Sequence, residues 1–390
     1  VSIEFVGSHG ASSFEDPEYL TVPERHAGLE LDEYLALLYP QINKGSIRQQ
    51  IRAGRVLIDG ERVQPSVRVS AHQVLVVELD PDLLDKPLLE APEIEVPVLY
   101  EDERLLVVDK PAGVAVEPER WLRSAGSMAG AILRLALSRS EEGHDADPDF
   151  EAEAAAESDE LDADGRPRLR FRPRIVHRLD KDTSGVLLIA KDLPAERFLR
   201  GAFEHALVKK TYLALVEGEC ELADGELEWI DLPIGPDPRK NGRMRIDPAG
   251  KPSRTAIGVA QRFRGYTLLH CHPETGRTHQ IRLHCAARGF PLAVDKLYGR
   301  QEHLLLSDIK RGYRSKPGRS ERPLLDRLSL HAFELDFPVP PAATPGAEPA
   351  DQGAAVPAPE PAQRRVVQAP LPKDLTMTLK QLGKVRPPRR

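Results

Sequence analysis

Cysteine is scarce. Three residues (Cys220, Cys271, Cys285) in 390 are too few for a disulfide framework and point to a reducing, cytoplasmic setting. Long apolar runs are also missing: no stretch approaches the ~18 residues of a membrane-crossing helix. The opening VSIEFVGSHG lacks the basic-then-apolar order of a secretory signal. There is no P-loop, no dinucleotide fingerprint and no G-x-S-x-G elbow around Ser184, so no phosphate-cofactor cradle and no hydrolase-type serine is offered. Nor does any pattern repeat with a period of roughly 20–50 residues, which excludes solenoids and propellers.

Positive charge is short overall, with 54 Lys and Arg against 61 Asp and Glu, a net of −7. Taken as a bulk property this argues against a phosphate-rich partner. The distribution argues otherwise. Residues 141–164 hold twelve acids and no base; without them 54 bases face 49 acids, a net of +5. This acidic stretch and the Pro/Ala-rich 338–362 carry few bulky apolar groups and are expected as insertions without a packed core. KVRPPRR, 384–390, is a short basic tail.

The remainder divides into two folded parts. Residues 1–20 read as a polar arm, 21–79 as a small module, 80–97 as a Pro-rich acidic linker, and 98–390 as the larger domain. In the small module LELDEYLALLYP has helical apolar spacing, ended by Pro40. A second short helix follows, capped by Ser46 and closed by Gly54, with Ile47 and Ile51 on one face and Arg48 and Arg52 on another. Lys44 and Arg55 flank it, and Asp59-Gly60 marks a hairpin turn. On spacing alone a basic face is most often just a solvated surface. The order helix, basic helix, DG hairpin and VRVSAHQVLVVE resembles the S4 RNA-binding domain, which implies a small α-L-type module docking on structured RNA through Lys44, Arg48, Arg52 and Arg55. Glu30-Leu31 stands where that family often has Arg-Leu.

In the larger domain RLLVVDK and SGVLLIAK read as buried strands and LPAERFLRGAFEHAL as an amphipathic helix. ELDF and VVQA read as two hairpin strands flanking the Pro/Ala insertion. Strands and helices mix without strict alternation, so the class is α+β.

Two segments concentrate polar groups. In RIVHRLDKDTSG, Asp180 lies between Arg178 and Lys181, and flanking cations favour an ionised carboxylate suited to act as nucleophile or base. A structural ion pair at a turn explains the same pattern equally well. In HCHPETGRTHQIRLHC, four histidines and two cysteines invite zinc, but there is no C-x₂₋₄-C pair and so no H-x₃₋₅-H matched to one. With Thr278 capping a helix that runs to Gly289, Ile281 and Cys285 face one way and Arg282 another; Arg277 and Arg282 suit an anion better than a metal. A third segment, 239–255, sets Arg239, Lys240, Arg243, Arg245, Lys251 and Arg254 against Asp247 alone, either a solvated hairpin or a loop that grips an RNA backbone.

Taken in order, HRLDKDTSG, KKTYLALVEG and TGRTHQIRLH resemble the RluA-type family of pseudouridine synthases, and DKPAG and LYG match as well. The resemblance covers about residues 28 to 382 apart from the insertions. It implies a mixed, largely antiparallel sheet and isomerisation of uridine to pseudouridine without cofactor or metal. By the same resemblance Asp180 matches the catalytic aspartate, Tyr212 the tyrosine against the target base, and Arg282 the arginine pairing with that aspartate. Arg178 matches an arginine that fills the gap left by the flipped nucleotide, and Leu283 an apolar contact to the base. Arg277, Arg243 and Arg245 are expected on the RNA-facing surface. With an S4 module in front, large-subunit (23S-type) ribosomal RNA is the expected partner and transfer RNA the second choice. No membrane partner is expected, and a monomer is the default. The competing readings are a non-catalytic RNA-binding or ribosome-assembly factor and a metal-dependent hydrolase. One departure lies in Val294-Asp295-Lys296-Leu297-Tyr298-Gly299, where the family often has Gly-Asp before its tyrosine-glycine; Asp295 is kept.

Overall fold

The computed structural model describes residues 17–22, 27–39, 42, 44–80, 83, 94–117, 126–141, 173–240, 242–314, 318, 320–341 and 363–388. The acidic stretch beyond Glu141 and the Pro/Ala-rich stretch beyond Pro341 lie outside them. The described residues form two compact units, the first before residue 91 and the second after it. Among them no helix is long and apolar enough to cross a membrane.

The first unit consists of β1 (Glu18–Thr21), α1 (Leu31–Leu38), α2 (Lys44–Arg52), β2 (Val56–Ile58), β3 (Glu61–Arg62) and β4 (Val74–Val77). Its four strands run in the order β1-β4-β2-β3, all antiparallel. The polar arm therefore ends earlier than its sequence suggests: Glu18–Thr21 pairs with Val74–Val77 and buries Leu20, a pairing partner too distant in sequence for local periodicity to reveal. The hairpin turn is as expected, Asp59 and Gly60 both at positive φ (51° and 83°), the type I′ geometry that matches strand twist. Ile47 and Ile51 of α2 pack with Leu31 and Leu35 of α1. Ser46 does not cap α2, which already begins at Lys44. Gly54, at φ 78°, does close it.

In the second unit the chain runs through β5 (Val98–Glu101), β6 (Leu105–Lys110), α3 (Met128–Glu141), β7 (Arg174–Ile175), β8 (Ser184–Ala190), α4 (Leu193–Glu204), β9 (Lys209–Glu217) and β10 (Glu228–Asp231). It continues through β11 (Ile234–Pro236), β12 (Met244–Ile246), β13 (Arg254–Phe263), β14 (Tyr266–Pro273), α5 (Gln280–Ala287), α6 (Leu306–Ile309), β15 (Leu330–Pro338), β16 (Arg364–Gln368) and α7 (Lys373–Val385). The main sheet follows β10-β13-β14-β9-β15-β8-β6-β5; β16 pairs with β15, and β7 with β8. Only β15 and β8 pair in parallel, so the sheet is mixed and largely antiparallel, in an α+β fold.

Unbroken apolar runs in β6 and β8 follow from burial on both faces. Leu105, Val107, Val186, Leu188 and Ala190 face Ala195, Leu199 and Ala202 of α4, whereas Leu106, Val108, Leu187 and Ile189 face Met128 and Ile132 of α3. Further along the sheet α7 seats Leu375 and Leu382 against one face and α5 seats Ile281 and Cys285 against another group of strand residues. The ELDF–VVQA hairpin forms as β15 and β16. Where β8 begins, Gly185 sits at φ 115° with its position for a Cβ only 2.1 Å from Ala332 O, so any side chain would collide with the parallel neighbour strand.

Candidate active site

Asp180 lies on the loop immediately before β8, its carbonyl accepting from Thr183 N at 3.1 Å as the chain turns into the strand. The side chain is part-exposed, at 21%. Behind it, Lys110 at the end of β6 is wholly buried, and its Nζ donates to the carbonyls of Pro111 (2.9 Å), Val114 (2.7 Å) and Lys181 (2.9 Å). Burial pulls its pKa down to about 7, yet three acceptors are satisfied together only by the ammonium form with its three donors. Gly113 N also donates to Lys181 O, so the DKPAG loop grips the peptide directly after Asp180 from two sides.

Opposite stands α5. The expected Thr278 cap is not formed: the helix begins at Gln280, with His279 before it in the left-handed region (φ 58°, ψ 21°). Gln280 turns back instead, its side-chain oxygen accepting from Arg277 N at 3.0 Å and from Thr275 Oγ1 at 2.7 Å. A glutamine reaching back over its own turn has no simple sequence signature, whereas Thr before an apolar run does. The helix ends at Ala287, and Gly289 follows at φ 85°.

Arg282 is 5% exposed. Its Nε and one terminal nitrogen donate to both oxygens of Asp295, at 2.8 and 2.7 Å, and the other terminal nitrogen lies 3.6 Å from Asp180 Oδ2. Burial opposes the guanidinium charge, but the Asp295 hydrogen bond and the Asp295 and Asp180 charges outweigh it and raise its pKa. Asp295 also accepts from Leu297 N (2.8 Å) and Tyr298 N (3.1 Å), so its carboxylate shapes the LYG turn despite the altered residue before it. Burial works against that carboxylate, and Arg282 more than compensates, holding its pKa below the ordinary carboxylate value.

Tyr298 is the hub of the remaining contacts. Its ring lies under two guanidinium groups, Arg282 at 5.1 Å and Arg243 at 5.2 Å from the centroid. Its hydroxyl meets Met244 N at 2.9 Å and His279 Nδ1 at 2.8 Å. The basic segment 239–255 thus supplies β12, which pairs with the preceding β11, and its backbone is tied to Tyr298 through Met244 N.

Tyr212, on β9, packs its ring between the apolar groups behind β6/β8 and those around α5. Burial, reinforced by the Asp180 charge, raises its pKa, so the side chain is a neutral phenol. Leu283 is buried beside Arg282. Arg178 is exposed, two residues before Asp180. Arg277 is exposed and donates through Nε to Pro252 O at 3.1 Å. Arg245 is committed to Asp247, at 3.1 and 2.7 Å.

The second unit therefore brings Asp180, Tyr212 and Arg282 together, with Arg243 connected through Tyr298; Leu283 is buried next to Arg282 in the chain. In the first unit, Lys44 is paired with Glu33 and lies 3.4 Å from Asp32, and Arg48 lies 2.5 Å from Asp32. Arg52 and Arg55 are exposed. The four histidines of 270–284 are spread over different partners: His272 to Thr211, His279 to Tyr298, and His284 to Ser253 and Thr255. His270 stacks on His272. Among the described residues, no group of three or more His, Cys, Asp and Glu is arranged to hold a metal. Asp295, Tyr298, His279 and Lys110 were not assigned roles from sequence; the only signal was that all four stand inside or beside matched motifs.

Residues 104–287 match the RNA pseudouridylate synthase family and residues 31–75 the S4 domain. Ribosomal large subunit pseudouridine synthase D of Nitrosomonas europaea is 34% identical over 85% of this chain and 83% of its own length. Ribosomal large subunit pseudouridine synthase C of Pasteurella multocida is 31% identical over 82% of this chain and 86% of its own. Among solved structures, human RNA pseudouridylate synthase domain containing 4 is 20% identical, with a TM-score of 0.45, over 73% of this chain and 92% of its own.

Proposed function

The chain belongs to the RNA pseudouridylate synthase family, an RNA-acting isomerase preceded by an S4 domain, and on that premise we propose that its substrate is large-subunit ribosomal RNA and that Asp180 is its catalytic carboxylate. The observation that carries the assignment of the site is the aim of Arg282: a buried guanidinium anchored bidentately on Asp295 and turned at 3.6 Å toward the part-exposed Asp180. The choice of RNA rests on the S4 match and on relatives whose names specify the ribosomal large subunit.

Uridine becomes pseudouridine when the N1–C1′ bond breaks, the base turns, and C5 joins C1′; C5 gives up a proton and N1 gains one, so nothing is oxidised or reduced. Stacked bases are out of reach, and the uridine has to be flipped out at a cost of about a few kcal/mol. Asp180 then acts on the ribose as nucleophile or base, and both roles need the ionised carboxylate that Arg282 stabilises and orients. Tyr212 offers the base a flat face. As a neutral phenol it keeps its own proton and does not take the C5 proton in that form.

Mapping pseudouridines in total RNA from cells with and without the gene tests the substrate. Loss confined to large-subunit ribosomal RNA is expected; loss confined to transfer RNA would contradict the assignment.

A further inference from the structure

The hydrogen-bond chain that leads away from Arg282 has an end the reaction above does not use. Tyr298 Oη accepts the Met244 backbone N–H at 2.9 Å and lies 2.8 Å from His279 Nδ1. The amide can only donate, which leaves the phenol proton available to Nδ1, and we assign it to that pairing. Nδ1 is thereby an acceptor, and the imidazole proton resides on Nε2. Among the described residues Nε2 has no protein partner, and the ring is only partly buried.

Charged groups reach this ring from several elements: Asp180 and Arg178 from the loop before β8, Arg282 from α5, and Asp295 from the LYG turn. Burial lowers its pKa, with Arg282 and Arg178 adding to the effect against Asp180 and Asp295, so the ring stays neutral. Its backbone sits at φ 58°, ψ 21°, a conformation that a residue with a β-carbon adopts at a cost and that concentrates where side chains are placed for function. One edge is therefore fixed by Tyr298, and the other carries a donor, on a ring within electrostatic reach of Asp180.

We propose that His279 is a substrate-contacting residue whose Nε2–H donates a hydrogen bond to an oxygen of the flipped nucleotide, with Tyr298 fixing the tautomer. The inference rests on the reading that Asp180 receives a uridine. The acceptor is either a uracil carbonyl or an adjoining phosphate oxygen. A donor opposite O4 also selects against cytidine, which presents an amino group there.

His279→Asn tests it, because asparagine tolerates the left-handed backbone and its carbonyl still accepts from Tyr298, while the Nε2 donor is gone. Single-turnover rates of the full chain are measured on the large-subunit RNA fragment that the wild-type protein modifies. H279N is expected to be about 10-fold slower, the loss of one hydrogen bond. Sulfur in place of O2, O4 or a non-bridging phosphate oxygen slows the wild type; the arm in which H279N adds no further slowing identifies the acceptor. A wild-type rate for H279N, or additive slowing in every arm, overturns the proposal. Tyr298→Phe is the companion variant if H279N fails to fold: it keeps the ring but frees the tautomer, and a slower rate with an altered pH profile is expected. An unaltered rate and profile in Y298F overturns the role of Tyr298. Failure of the wild-type protein on every large-subunit RNA would strike the substrate assignment instead.

Discussion

Arg282 gives its two short hydrogen bonds to Asp295, at 2.8 and 2.7 Å, and approaches Asp180 only to 3.6 Å. The carboxylate proposed as catalytic is aimed by an arginine whose position is decided elsewhere. Both Arg282 and Asp295 are buried, so removing Asp295 strands a charge in a low-dielectric setting. Asp295→Ala is expected to cost about 3–5 kcal/mol of stability, read by denaturant unfolding. Asp295→Asn keeps an acceptor and the shape; it is expected to lower turnover about 100-fold at nearly unchanged RNA affinity. An Asp295→Asn enzyme with wild-type turnover would remove Asp295 from the account.

A second prediction concerns acid. His177 stacks on Phe203, and its Nε2 accepts from Leu188 N at 2.9 Å; burial, with Lys210 nearby, pulls its pKa down to about 3. An unfolded histidine titrates near 6.5. Between those values the unfolded chain binds the extra proton, so this contribution is fully present above about pH 6.5 and is lost as pH falls toward 3. His177→Gln keeps the acceptor but does not titrate. Unfolding free energies at pH 7 and pH 5 are expected to differ more for the wild type than for His177→Gln; equal differences would contradict the assignment.

The S4 arginines separate by what they touch. Arg48 and Lys44 are bound to Asp32 and Glu33, whereas Arg52 and Arg55 are exposed. Arg52→Ala and Arg55→Ala are expected to weaken RNA binding and each reduce the slope of log affinity against log salt by roughly 1. Arg48→Ala is expected to act chiefly on stability, because buried Asp32 loses the nearer of its two cations and keeps Lys44 at 3.4 Å. Salt titrations of filter or fluorescence binding distinguish these; equal slopes for all three variants would refute the division.

The framework of the fold was legible because its signals are local. Apolar runs doubly buried in β6 and β8, the Asp59-Gly60 turn and the hydrophobic face of α4 all follow from neighbours in sequence. Residues 18–20 were misread as arm because the partner strand of Glu18–Thr21, Val74–Val77, lies over fifty residues on. At the site, motifs named Asp180, Tyr212 and Arg282 as candidates, and the fold sets Arg282 3.6 Å from Asp180. What aims them was not: Asp295, Tyr298 and Lys110 act through pairings across the fold that no spacing rule connects. The Thr278 cap failed for a related reason: the helix begins only at Gln280, after His279, and the Gln280 side chain binds Arg277 N and Thr275 Oγ1.

The account stands on Asp180. The most direct test is pseudouridine formation by purified Asp180→Asn on large-subunit ribosomal RNA, with RNA affinity measured on the same preparation. The expected result is no detectable pseudouridine with affinity within about threefold of wild type; pseudouridine formed at a rate near wild type would contradict it.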